Sequence, residues 1–450
     1  MMGAFMGSGR ARKAEGVSVG RSDKGGRQEG FSSGQSAREE FAPVDTKGGR
    51  RGGTRVVGGD WLVKGILFAT FAVVSLADRA YAPLAPFIRS GLQLSQAQMG
   101  YAGGAIMAGT LLATLPLGAL VDRTNTKRSL WLIVGTLGLS FLALSQQRTF
   151  YGLVAGLFVV GSVRSGVIPL VNKVLALRYG AEERGSAMGA VLAGGPLGGL
   201  IGALALPFVG ESQGWSAGYR LLGVTAIAIG LVCWRALPAL GESSRDSSGS
   251  GTRGDHRRRL LALSLTYSVY VMTLYVVRSF LTLYLVDVVG VSPVLAGAFY
   301  ALAQVAAVGG RVLWGVLADR FMATRRSWSL ALNSGWTAVA LVLLSLLSPE
   351  SSPWAVAGLM VIWGLGVKSS WAIQSAVLVD QSKDGSVARS TAMLFFFMGF
   401  TGILGPVAFG SLLEATGSYF LGFRVFAGVA AASAAVFTVI SLRTKALAST

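Results

Sequence analysis

Among 450 residues there is one cysteine, Cys233, and one histidine, His256. No disulfide framework, Cys/His metal site or thiol–imidazole pair can be assembled from them, so no metal and no cofactor is expected. Charge is scarce as well: Asp, Glu, Lys and Arg make up 14% of the chain, against roughly 25% in soluble domains. Acid is the scarcer sign, with 21 acidic residues against 40 basic ones and a formal net charge of +19. In a soluble protein that excess would suggest nucleic acid. Here the cations gather in short segments between apolar runs, which makes a lipid bilayer the expected partner and excludes nucleic acid.

What is abundant is hydrophobic sequence, 52% of the chain. Runs long enough to cross a hydrocarbon core about 30 Å thick fall near 62–89, 97–121, 128–146, 151–178, 183–209 and 218–239, then 259–287, 293–318, 326–347, 353–381, 386–413 and 419–442. Between the sixth and seventh lies GESSRDSSGSGTRGDHRRR, too polar for lipid. The expected fold is all-α and integral to the membrane, with twelve transmembrane helices in two pseudo-symmetric six-helix bundles. These occupy 60–239 and 259–442, joined by a cytoplasmic linker over 240–258. Residues 1–59, rich in Gly, Ser and Arg, read as a disordered cytoplasmic tail or an over-long start, and 443–450 as a short cytoplasmic tail. The loops with Arg123, Lys127 and Arg128, Arg178 and Arg184, Arg257 to Arg259, Arg320, Arg325 and Arg326, and Lys383 and Arg389 share one side. That bias places both termini in the cytoplasm of a protein of the plasma (inner) membrane.

The two halves repeat each other. GALVDRTNTKRS from Gly118 to Ser129 pairs with GVLADRFMATRRS from Gly315 to Ser327, and ERGSAMG at Glu183 to Gly189 pairs with ARSTAML at Ala388 to Leu394. The doubled Gly…Asp-Arg pattern after the second and eighth spans resembles the signature of the major facilitator superfamily. The resemblance implies a conformational latch formed by Gly118, Asp122, Arg123 and Arg128 with Gly315, Asp319 and Arg320, in which Gly118 gives close helix packing. SLADRAYAPLAPFIRSGLQLSQAQMG, from Ser75 to Gly100, is similar to the anion:cation symporter branch, which handles sugar acids and related organic anions. One departure stands out: Pro169, Asn172 and Lys173 match that branch in the fourth span, but Arg164 occupies its acidic position.

Five ionisable residues within the spans stand out: Asp78 and Arg79 in the first, Arg164 in the fourth, Arg278 in the seventh and Lys368 in the tenth. Each costs about 2.5–3.5 kcal/mol at a helix centre on insertion scales, so such residues are expected to face a cavity and to function there. In the family the first, fourth, seventh and tenth helices line a central cavity, so the resemblance places Arg79, Arg164, Arg278 and Lys368 around a small anion. Asp78 is the candidate proton carrier. Arg311 reads equally as part of the second latch or as a cavity residue. GGPLGGLIG, from Gly194 to Gly202, reads as close helix packing, as do Trp363 and Trp371 beside Lys368.

The function these readings support is secondary transport: symport of a small organic anion, a carboxylate or sugar acid, with protons or sodium, by a monomer working through alternating access. An anion exchanger or a drug exporter of the same fold is the alternative, and a membrane sensor that has lost transport a remote one. An enzyme is not expected, because the spans hold no nucleophile–base set.

Overall fold

The computed structural model describes residues 57–179, 181–236, 254–321, 326–367, 374 and 387–448. Within helices, the side chains of Asp78, Asp122 and Asp319 lie outside what it describes, as do Lys368 and Trp371 altogether. All the described secondary structure is helical, and eleven helices are long and apolar enough to cross a membrane. The tenth span is described from Pro353 to Val367 and at Gln374.

The first span is two helices, α1 (Val57–Arg79) and α2 (Tyr81–Leu92), and the second is α3 (Gln96–Arg123). Then come α4 (Thr126–Ser145), the pair α5 (Phe150–Arg164) and α6 (Val167–Arg178), the pair α7 (Ala181–Leu192) and α8 (Gly194–Gln213), and α9 (Trp215–Ala236). The second half holds α10 (Gly254–Asp287), α11 (Pro293–Phe321), α12 (Arg326–Ser345), α13 (Pro353–Val367), α14 (Val387–Thr416) and α15 (Tyr419–Ala448). The seventh helix starts at Gly254, ahead of the expected 259, and the twelfth runs to Ala448. Polar caps set several starts. Ser95 and Gln98 form a reciprocal capping box on α3, while Asn125 and Thr149 cap α4 and α5.

Three spans of the first half are interrupted, and each interruption has the same cause. The breaks at Ala80, Gly166 and Ala193 each stand three residues before a proline: Pro83, Pro169 and Pro196. Proline lacks an N–H, and its ring crowds the carbonyl four residues back, at Arg79, Ser165 and Leu192. Pro116, Pro207 and Pro406 are accommodated inside continuous helices.

Small residues let backbones meet. A Cβ on Gly109 or Gly161 would run into the carbonyl oxygens of Phe158 and Ile106, so spans two and four cross in contact there. Outward-facing apolar side chains such as Leu115, Phe208, Val224, Val312 and Val339 are exposed, as a helix surface solvated by lipid tails requires.

Candidate functional site

Arg79 and Arg164 are the last residues of α1 and α5. Each cation therefore stands where helical carbonyls lose their partners and the helix carries its partial negative charge, a placement worth about 0.3–2 kcal/mol. The prolines that break the spans thus also seat the arginines. Arg79 donates from Nη1 to the Gly195 carbonyl at 2.8 Å. It lies over Gly199, where a Cβ would come within 2.8 Å of its Cδ. The glycine-rich run of the fifth span packs as expected, for Gly198 closes on the Ala72 carbonyl. It is in addition the cradle of Arg79, which sequence pattern alone did not indicate.

Arg164 donates from Nη2 to the Thr110 hydroxyl at 3.0 Å, and Thr110 bonds back to Ile106 and Gly161 carbonyls at 2.8 and 3.1 Å. One turn earlier on α3, Met107 joins Tyr81, Tyr275, Arg278, Ser279 and Gly402 around a cavity of about 20 Å³, room for one water. The structure thus places Arg164 and Arg278 against successive turns of the second span, with Arg79 two residues before Tyr81. Lys368 and the carboxyl group of Asp78 lie outside the described residues. Thr110, Tyr275 and Ser279 were not predicted, because an isolated Thr, Tyr or Ser in an apolar span carries no pattern.

Arg311 falls on the face of α11 that carries the buried Gln304, Ala307 and Trp314. At about 100° per residue, it lies about 100° from the exposed Val305, Val308 and Val312 stripe. It is exposed on a side of α11 other than that stripe. Trp363 is fully buried in the core, which agrees with the packing reading.

The two ends of the molecule differ. At the end remote from the start of α1 the halves are tied together. Both terminal nitrogens of Arg89 donate to the Asp287 carboxylate, which also accepts from Tyr419 Oη at 2.9 Å and Gln96 Nε2 at 3.3 Å. Glu414 accepts from the Ser95 hydroxyl and from the Ala97 N–H at 2.8 Å, on the first turn of α3. Thr282 donates to the Ala82 carbonyl. Gly104 and Gly410 bring α3 and α14 into backbone contact, and Gly297 does the same for α11 and α8.

At the other end Arg123, Arg128 and Arg320 are exposed, and among the described residues none of them is in an ion pair. Lys127 lies 5.3 Å from the centroid of Trp234, against its own half. The close packing expected through Gly118 is not found: a Cβ there meets nothing within 4 Å, and the same holds at Gly315.

A membrane-spanning bundle with a pseudo-symmetric loop pattern and cations at broken helices agrees with the comparison to known families, in which the Major Facilitator Superfamily pattern matches residues 67–367 and 263–449. The chain belongs to that superfamily. It is a multi-pass transporter fold and not an enzyme. The 3-(3-hydroxy-phenyl)propionate transporter of Escherichia coli K12 is 27% identical over 396 residues, covering 85% of this chain and 95% of that one. The probable galactarate/D-glucarate transporter GudP of Bacillus subtilis 168 is 25% identical over 440 residues, covering 88% and 93%. In fold, the chain resembles the crystal structure of a bacterial homolog to human lysosomal transporter Spinster in an inward-facing and occupied conformation. The TM-score is 0.74 at 19% identity, over 85% of this chain and 97% of that one.

Proposed function

We propose that this superfamily member carries a small organic anion, a carboxylate or sugar acid, across the plasma membrane together with a proton, by alternating access. The observation that carries the reading is the seating of Arg79 and Arg164 at proline-broken helix ends, with Arg278 facing the second span nearby. A guanidinium can hold a carboxylate through two parallel N–H bonds, and low-dielectric surroundings strengthen such bonds. The relatives named as organic-acid transporters support the same class. Lys368 adds a point charge, and Asp78 carries the proton: a cation beside it favours its ionised form, and arrival of an anion reverses that bias.

With both termini cytoplasmic, the tied end carrying Arg89 and Asp287 is the outer gate, and the described conformation faces inward. The loops holding Gly118, Asp122, Arg123 and Arg128, and Gly315, Asp319 and Arg320, then serve as the inner latch, open here and closed in the outward-facing state. The protein acts as a monomer, since one chain holds the whole site. Exchange of anions without proton movement is a second reading, favoured by one observation: Arg164 stands where a second coupling carboxylate is expected.

The test is internal pH in proteoliposomes when hydroxyphenylpropionate, glucarate, hexuronates and sulfoacetate are added outside. Wild type is expected to acidify the lumen with at least one of them, and Asp78→Asn to abolish that signal. Labelled-anion counterflow without any acidification would replace symport by exchange, and no anion movement at all would sink the proposal.

A further inference from the structure

The fourth span is bonded to the second on either side of its break. Above the break, α5 is locked to α3 by the Gly109–Gly161 crossing and by the bond from Arg164 to Thr110. Below it, Lys173 on α6 reaches across to α3. Its Nζ donates to the Val121 carbonyl at 2.7 Å and to the Thr124 carbonyl at 2.8 Å. Those two carbonyls flank Asp122 and Arg123. They belong to the last turn and cap of α3, where backbone acceptors have no helical donor and the helix end is partially negative. A single ammonium therefore satisfies the end of the second span and binds it to the lower half of the fourth. Between the two attachments lie Ser165 and Gly166, where Pro169 removes a ladder hydrogen bond. The nearest neighbours a Cβ at Gly166 would meet are the side chains of Ile133 and Leu117.

We infer that Lys173 is a positioning residue that passes the state of Arg164 to the loop bearing Asp122 and Arg123. When the arginine leaves Thr110 to hold an anion, α6 turns about the break at Ser165–Gly166. Lys173 then carries the end of α3 with it. This inference rests on the transport reading, because it needs an anion to draw Arg164 away. A continuous helix would move as one body with α5. The break separates the two attachments, and Lys173 is the group that rejoins them.

The experiment needs no substrate. The full chain, in lipid nanodiscs and with Cys233→Ser, carries spin labels at Asn125→Cys and Leu442→Cys, both exposed positions at the N-terminal end of the two halves. Distance distributions are compared among wild type, Thr110→Val, Lys173→Met and the double variant. Thr110→Val removes the hydroxyl that accepts from Arg164 Nη2 and is expected to shift the ratio of short to long distances at least threefold. In the Lys173→Met background the same change is expected to shift it less than about 1.5-fold, and Lys173→Arg is expected to restore the threefold response. Equal shifts with and without Lys173 would show a mere structural tether, and no shift from Thr110→Val would remove the input; either overturns the inference. Should Lys173→Met not fold, Lys173→Gln, which still donates to a carbonyl but lacks charge, completes the cycle with the same readings. Because no anion is added, failure of symport in liposomes is registered separately.

Discussion

Arg89 and Asp287 form a two-pronged ion pair that joins the end of the first span to the end of the seventh, across the two halves of the chain. The side chains keep 26% and 18% of their exposure, so the pair alone is worth only about 1 kcal/mol. It does not stand alone, since Tyr419 and Gln96 donate to the same carboxylate and Glu414 accepts from the start of α3. Opening this end requires all of these to part. In the alternating-access cycle proposed above, the cluster would set how often the far side opens.

Replacing Asp287 with Asn keeps the shape and removes the charge. It is expected to shift the equilibrium toward opening at the Arg89 end by about 1.5–3 kcal/mol, the range for hydrogen bonds to charged groups. The check is a thiol reagent applied from that side to Ser279→Cys, a position buried at 7% exposure. Labelling is expected to rise about five-fold or more over the same reporter with Asp287 intact. Unchanged labelling would show that the pair does not hold the gate.

The glycines separate into two kinds, and alanine scanning is expected to show it. At Gly109 a Cβ would strike the Phe158 carbonyl, so Gly109→Ala is expected to destabilise by about 1–3 kcal/mol through overpacking. Gly118→Ala has open space and is expected to leave the thermal midpoint within a degree or two. If Gly118 serves the latch only when closed, transport by Gly118→Ala falls while stability does not. Scanning fluorimetry beside uptake distinguishes the two effects.

Arg79→Lys retains charge but loses the fork that can grip a carboxylate bidentately. An increase in KM of about ten-fold or more, equal to roughly 1.4 kcal/mol, is expected, with little loss of fold. Gly199→Ala crowds the same side chain from the fifth span and is expected to raise KM in the same direction. A normal KM in both would separate Arg79 from the substrate.

Pro169→Ala returns an N–H and lets α5 and α6 join. Helix stability is expected to rise, while turnover falls because the fourth span can no longer bend at Ser165–Gly166. The measurement is kcat against KM for uptake, with kcat reduced about five-fold and KM within two-fold of wild type. Equal turnover would mean the break is not used in the cycle.

The spans, the repeat and the intramembrane cations were legible because lipid enforces them locally. A crossing helix must be apolar over about 20 residues, and each charge that breaks the run is visible as an exception. Residues such as Arg79, Arg164 and Arg278 could therefore be named from sequence, whereas the helix breaks at the prolines beside two of them emerged only from the structure. The outer cluster was not legible. Arg89 and Asp287 are separated by nearly 200 positions, and each looks like an ordinary charge at the end of a span. Thr110, Gly199 and Lys173 have roles that depend on which helix lies opposite. Gly118 shows the reverse case, for its motif suggested contact and the structure leaves it open. Sequence determined which groups the membrane must tolerate, since their cost is paid within one helix; only tertiary structure decided which partners they meet, since hydrogen bonds between helices depend on the register and crossing of distant spans.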